Sequence, residues 1–359
     1  MRKCRLVLCL ITILTFFLPE RSEAGTSPKK ICVPKGKLYH GVFPGGIRGT
    51  EDDVTPADVD IYEKTVGQKA AWVYFSNNWY QSREFPKETA EWIRKRGSVP
   101  FIRLMLRSDL DQDHAEPLFN IKSILAGKFD ADLRRWADAA KGFGTPLLVE
   151  WGTECNGQWF GWNGKWNSDP GKHNGPKRFA RAFRHMVKLM RAQGADNLTW
   201  VFHPDAHDDP EEKWNRFENY YPGDDVVDWV GLSAYGPQKP TDTEGAVFRE
   251  SVDPCYKRLV RMAPTKPIFV LEFGCTAGSG YGPPEKWAAE ALSDILGGRW
   301  PKVAGFSWWN ERWKNDENPT HNTTMKVEDT PALRKVFQEK LKAFQEKIQT
   351  SPVYPLNAE

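Results

Sequence analysis

The chain has 359 residues, 40% of them hydrophobic, which is enough to bury a large core. Fifty basic residues against 47 acidic ones leave a formal charge of +3, a near balance that gives no ground for nucleic acid or an anionic membrane as partner. The surplus lies in the aromatics, with 16 Trp, 20 Phe and 10 Tyr; such rings either fill a core or line a site for sugars, whose C–H faces stack on flat rings.

The N-terminus reads as a targeting segment. MRKCR supplies positive charge, LVLCLITILTFFL a short apolar run, and Ser22-Glu23-Ala24 a small-residue cleavage site. Residues 1–24 are therefore expected to be a signal peptide. The mature protein is expected to be secreted or periplasmic, monomeric and without a membrane partner, since no later run is long enough to span a bilayer. Residues 25–37, polar and basic with two prolines, read as a leader, and residues 349–359 as a loose tail. Cys32, Cys155, Cys255 and Cys275 remain after cleavage; four cysteines allow three pairings, and no CxxC spacing suggests zinc. Asn197-Leu198-Thr199 and Asn322-Thr323-Thr324 are glycosylation sequons.

Between the leader and the tail one pattern recurs. The apolar runs are LYHGVF (38–43), AAWVYF (70–75), VPFIRLM (99–105), PLLVEW (146–151), LTWVFH (198–203), VDWVGLSAY (227–235), PIFVLEF (267–273) and VAGFSWW (303–309). Each has strand length, β-branched and aromatic content, and Gly, Pro or Asn at its borders. Helical segments are expected at 54–66, 86–97, 130–144, 176–194, near 210–220, at 253–263, 283–298 and 330–348. Eight strands alternating with eight helices predict a single (β/α)8 TIM barrel over 38–348. An open doubly wound sheet is the rival fold, but no GxGxxG follows the first strand.

A barrel of this kind does its chemistry at the C-terminal ends of its strands. Strand four runs out into Glu150-Trp151-Gly152-Thr153-Glu154, and strand seven ends in Leu271-Glu272-Phe273. Two carboxylates facing across a cleft are the machinery that cleaves a glycosidic bond, one attacking the anomeric carbon and the other protonating the departing oxygen. Glu272 closes an otherwise apolar run, where a charge needs a reason. Glu154 is followed by Asn156, Trp159 and Phe160, an amide and two rings suited to a sugar. Glu150 shares the strand face of Glu154 but lies deeper, and is expected to be a buried acid paired with Arg103. Glu311 and Arg312 are expected to form an ion pair at the rim.

His203 and His207, with Asp208 and Asp209, form the other cluster. A metal is not expected there, because Pro204 and Pro210 break the helix that would align the histidines; His203 is read as a hydrogen-bonding wall of the site. No metal or cofactor is expected elsewhere, and no GxSxG marks a serine nucleophile.

The motifs GTECNGQWFGW around Glu154, KPIFVLEFG around Glu272 and VDWVGLSAYG around Tyr235 together resemble glycoside hydrolase family 26, from about Tyr39 to the last helix. The resemblance implies a barrel with a retaining double-displacement mechanism, Glu154 as acid/base and Glu272 as nucleophile. It further implies that Tyr235 touches the nucleophile, that Trp159 and Phe160 line the sugar site, and that a ring from Trp308-Trp309 lies beneath the sugar at the cleavage point. The expected partner is a β-linked polysaccharide. β-1,4-Mannan leads, with mixed-linkage β-glucan and β-1,3-xylan as alternatives, because Thr153 stands where the mannan-cleaving members carry His. Two further readings are a non-catalytic carbohydrate-binding barrel and a metal-dependent hydrolase built on His203 and His207.

Overall fold

The computed structural model describes residues 30–46 and 49–354; the signal segment read at 1–24 lies outside them. Eight parallel strands close on themselves: β1 (Leu38–Phe43), β2 (Trp72–Asn78), β3 (Val99–Met105), β4 (Leu147–Trp151), β5 (Leu198–Phe202), β6 (Trp229–Tyr235), β7 (Ile268–Gly274) and β8 (Val303–Trp309). Each pairs with the next in sequence, and β8 returns to β1 with Tyr39 opposite Gly305. The outer layer is α1 (Pro56–Val66), α2 (Lys87–Lys95), α3 (Ile121–Leu125), α4 (Asp130–Phe143), α5 (Gly164–Asn167), α6 (Gly175–Ala192), α7 (Phe248–Met262), α8 (Pro284–Gly297) and α9 (Pro331–Ala343). This is the expected (β/α)8 barrel. Among the described residues no helix is long and apolar enough to cross a membrane.

The barrel interior is packed with large rings. Trp72 of β2 is fully buried between Tyr39, Phe101 and Phe269, edge-on to each at 5.9–6.4 Å. Gly41 of β1 makes room for it: a Cβ there would lie 2.1 Å from the Trp72 indole. The layer above is polar. Ser76 of β2 stands opposite Arg103 of β3, and Arg103 opposite Glu150 of β4. Apolar packing thus gives way to charge toward the C-terminal mouth, where the strands of such a barrel present their chemistry.

Three departures from the sequence reading have local causes. The stretch after β5 is not an α-helix but two short 3-10 turns, Lys213–Asn215 and Phe217–Asn219. Pro210 cannot donate within a helix, and the Asn215 side chain bonds the backbone carbonyls of Asn156 (2.7 Å) and Pro210 (3.0 Å) instead. Helix α7 begins at Phe248, five residues before the Asp253 expected, because Pro254 lies inside the helix rather than at its first turn. Of the tail read as loose at 349–359, the described part, 349–354, is docked: Gln349 pairs with Tyr39, and the Cys32 N–H donates to the Val353 carbonyl at 2.7 Å.

All four cysteines in the described residues are free thiols, so none of the three possible pairings forms. Cys155, Cys255 and Cys275 are buried, and burial pushes the Cys275 thiol up to about 12. The Asn197 sequon amide is also buried and donates to the carbonyls of Ala140 and Thr145.

Candidate active site

Glu154 is held in place by backbone geometry. After β4 the chain turns sharply, with Gly152 at φ +70° and Glu154 itself at φ +47°. A Cβ on Gly152 would strike the Phe179 ring at 2.2 Å, so glycine is needed there on two counts. Glutamate in the left-handed region costs on the order of 1–3 kcal/mol, strain of the kind that collects at functional sites. The Glu154 N–H donates to the His203 carbonyl at 2.6 Å, and the Trp159 indole N–H donates to Glu154 Oε2 at 2.8 Å. Trp159 is half-buried, its polar edge turned to the carboxylate.

Glu272 owes its aim to a bulge. The register of β6 against β7 slips between Leu232 and Ser233, leaving Leu271 as the extra residue of β7. A bulge of this kind re-aims the side chain that follows it. Glu272 stands opposite Ser233 and is buried. Its Oε2 accepts from the Tyr235 hydroxyl at 2.9 Å; its Oε1 accepts from the Tyr74 hydroxyl at 3.3 Å and lies 3.6 Å from Arg103 Nη2. Burial pushes Glu272 up to about 7, Arg103 pulls it down, and the negative charge of Glu154 pushes it up again. The two carboxyl groups therefore act on one another across the mouth.

Beneath them Arg103 binds three acids: Glu51 Oε2 at 2.9 Å, Glu150 Oε1 at 3.5 Å and Glu272. Glu150 is buried and paired with Arg103, as expected from strand parity. It also accepts from the Tyr74 hydroxyl and lies 2.9 Å from His203 Nδ1. His203 is fully enclosed, with Nε2 at 2.9 Å from Ser233 Oγ and Nδ1 at 3.1 Å from Thr153 Oγ1. Burial works to lower the imidazole pKa, but the carboxylates around it, Glu150 first and then Glu272 and Glu154, together outweigh burial and the net shift is upward. His203 is thus a support beneath the floor rather than part of the wall that a ligand would meet.

Other residues named from the sequence divide clearly. Tyr235 bonds Glu272. Trp309 faces the barrel interior, stacked on Phe43 at 3.9 Å with the Arg103 guanidinium 5.2 Å from its ring. Trp308 points the other way: it is fully buried against Phe273, Trp287 and Phe337, with its indole N–H on the Met325 carbonyl. The period of two along a strand puts only one of the adjacent tryptophans inside. Asn156 is buried and its amide donates to the Asp205 carbonyl, the His207 carbonyl and Asp208 Oδ1, each at 3.0 Å, so it ties two loops together instead of meeting a ligand. Phe160 is buried and stacked on Trp162 at 4.4 Å. Tyr74, Glu51 and Asp205 were missed from the sequence; Tyr74 looked like one more ring in an apolar strand.

Glu150, His203 and Glu272 bring ligand-type atoms within 4.8 Å of one another, a spacing that could hold a metal ion. The Arg103 guanidinium already lies against both carboxylates, and a divalent cation would have to displace or repel it. His207 does not join His203; it is exposed, with Nδ1 3.8 Å from Asp205 Oδ1.

The expected rim pair of Glu311 with Arg312 is not formed. Arg312 is exposed and lies 3.6 Å from Asp329, whereas Glu311 is buried, accepts from the Trp309 indole at 2.9 Å and, among the described residues, leaves Oε1 without a partner. Burial pushes the Glu311 carboxyl up to about 8. Between its unfolded value and 8 the native state binds the extra proton, so the stability contributed by Glu311 is full at low pH and is lost as pH rises toward 8. Glu311→Gln removes this dependence. In urea unfolding, the variant is expected to gain on the wild type by roughly 3 kcal/mol between pH 5 and pH 8; a gap that does not change with pH contradicts a buried neutral carboxyl at 311.

An eight-stranded parallel barrel with a carboxylate after its fourth strand and another at the end of its seventh has the layout of the barrel glycosidases. Residues 117–273, which include both carboxylates, match the family model for glycosyl hydrolase family 26. Endoglucanase H of Acetivibrio thermocellus is 26% identical over 284 residues, covering 78% of this chain. This chain spans only 29% of the length of that relative. A mannan endo-1,4-β-mannosidase of Bacillus subtilis is 22% identical over 322 residues, covering 82% of this chain and 77% of the relative. In fold, the chain is similar to a family 26 β-mannanase structure from Bacteroides ovatus, with a TM-score of 0.64 at 15% identity over 90% of this chain and 94% of that one.

Proposed function

We propose that this protein is a retaining, endo-acting β-glycanase, with Glu272 as nucleophile, Glu154 as acid/base and β-1,4-mannan as the leading substrate. The observation that carries the reading is the unequal treatment of the two carboxyls. Glu272 receives two hydroxyls and faces a guanidinium, and Arg103 opposes the burial that raises its carboxyl to about 7. Glu154 receives a single indole N–H on Oε2, which orients its carboxyl, and the proposal gives it the proton that the leaving oxygen takes up. In the first step Glu272 forms a bond to the anomeric carbon while Glu154 delivers its proton to the leaving oxygen. In the second, Glu154 takes a proton from water, which displaces Glu272 from the sugar. Trp309 supplies a flat ring beneath the sugar, and Trp159 aligns the acid.

Mixed-linkage β-glucan is the second reading. It is favoured by Thr153, whose hydroxyl turns to His203 where the mannan-cleaving pattern has histidine, and by the similarity to an endoglucanase. Export through a cleaved N-terminal signal belongs to the same proposal. A screen on β-1,4-mannan, lichenan and β-1,3-xylan with sizing of early products tests the substrate. Internal cleavage of mannan into mixed oligosaccharides is expected; release of a single small product from the outset contradicts endo action, and cleavage of lichenan alone replaces mannan with β-glucan.

A further inference from the structure

We infer that the N-terminal end of the barrel, opposite the mouth, holds a binding site for an acidic glycan, a chain of uronate sugars, which fastens the enzyme to a charged polymer and takes no part in cleavage. This inference does not depend on the roles proposed for Glu154 and Glu272.

A cavity of about 550 Å³ opens where β1, β7 and β8 begin. Its wall includes Leu38 and Val303, the first residues of β1 and β8, and Pro267, which directly precedes β7. The parallel strands run from here toward the mouth, so the cavity and the two carboxylates lie at opposite ends of the barrel. The volume is sufficient for a ligand of sugar size.

The side chains of Lys37, Lys266, Lys302 and Lys347 line this cavity, and no acidic side chain does. Three of the lysines are anchored. Lys266 Nζ donates to the Asp224 carbonyl at 2.8 Å, Lys347 Nζ to the Leu296 carbonyl at 3.2 Å, and Lys302 Nζ to the Pro264 carbonyl. One bond uses one of the three N–H groups of an ammonium, so each anchored lysine is fixed in place and keeps two donors. Among the described residues none of the four is paired with a carboxylate. Asp224, whose carbonyl anchors Lys266, turns its own carboxylate to the hydroxyls of Tyr221 and Thr265. Offsetting the negative end of α8 accounts for Lys347 alone. It does not account for four ammonium groups on one concave wall, a local excess of charge in a chain that is nearly balanced as a whole. A cleft lined by one sign of charge concentrates the opposite sign.

The rest of the wall selects among anions. Val33, Pro34, Ile295 and Pro301 give it an apolar floor, and Val33 is left 38% exposed. A bare phosphate or sulfate has no use for that floor. A uronate does, since its ring lays a C–H face on apolar side chains while its carboxylate meets the ammonium groups.

The test titrates the full enzyme with trigalacturonate by calorimetry at low ionic strength, where surface charge is least screened. The wild type is expected to bind. Lys37→Glu together with Lys302→Glu is expected to weaken binding by on the order of 10-fold or more, because two attractive contacts become repulsive. Turnover of the neutral β-glycan should stay within about 2-fold of wild type, since neither lysine is near the mouth. A control pair, Lys128→Glu with Lys172→Glu, removes the same charge from exposed positions outside the cavity and should leave binding within about 2-fold of wild type. Should the first pair fail to fold, Lys37→Glu alone serves, because Lys37 is exposed and makes no bond to the fold; it is expected to weaken binding about 3-fold or more. Absence of binding, equal loss in the cavity and control variants, or displacement of trigalacturonate by inorganic phosphate at matched ionic strength overturns the inference.

Discussion

Glu272→Ala is expected to lower kcat on polysaccharide by on the order of 10⁴-fold or more, because the covalent step loses its nucleophile and no second carboxylate can take over. Glu150 is the nearest alternative, but it is buried beneath Arg103 and engaged by Tyr74 and His203. Binding of polysaccharide is expected to persist, since Trp309 and the rest of the cleft remain. The check is turnover on soluble polysaccharide together with retardation of the variant in a gel containing it. The removed carboxylate leaves space beside Arg103 Nη2 and the Tyr235 hydroxyl, so a small anion such as azide should partly restore cleavage and yield a glycosyl azide. A variant that keeps near wild-type turnover would remove Glu272 from the mechanism.

Glu154→Ala is expected to behave differently with different leaving groups. On polysaccharide, where the departing oxygen needs a proton, the loss should be about 10²–10⁴-fold, the range of general acid catalysis. On a dinitrophenyl glycoside, whose phenolate leaves unaided, the first step should be nearly unimpaired and the second slow, so that a burst of dinitrophenol equal to the enzyme concentration precedes slow turnover. Stopped-flow absorbance measures this directly. Loss of the burst along with the polysaccharide activity would indicate damage to the nucleophile's surroundings, not removal of a proton donor. Because the Trp159 indole N–H donates to Glu154, Trp159→Phe should weaken the same step to a smaller degree.

Much of this architecture was legible because strands and helices leave different periodic marks. The bounds of β1, β3 and β8 coincide with their apolar runs; Pro44 closes the first and Asn310 the last, and Ser98 precedes the second. The acidic stretch after β5 misled because charge alone says nothing of a buried face; it has no apolar stripe, and its Asn215 is spent on the backbone. Glu150 could be read as buried and paired because parity along β4 settles which way it points. Trp308 and Trp309 could not be separated without knowing which face of β8 looks inward. Glu272 also depended on information a single sequence lacks: a bulge changes parity within β7, and only the register against β6 reveals it. Arg103 had a local signal, a lone charge in VPFIRLM, and it is the centre of the buried network.

The loop chemistry shows how the barrel converts packing into reactivity. Gly41 and Gly152 give up side chains so that Trp72 and Phe179 can fill the space, and those rings hold the strands on which Arg103 and Glu154 depend. The polar layer above the rings is internally paired, Arg103 against three acids and His203 against Glu150, so the mouth can expose two unlike carboxyls without leaving buried charge unmatched.

The central claim is double displacement between Glu154 and Glu272, and the anomeric configuration of the first product tests it most directly. ¹H NMR of the cleavage mixture in the first minutes, before mutarotation, should show the β-anomer appearing first and the α-anomer only later, as the two displacements together restore the original configuration. An α-anomer that appears first would mean a single displacement by water and would contradict the account.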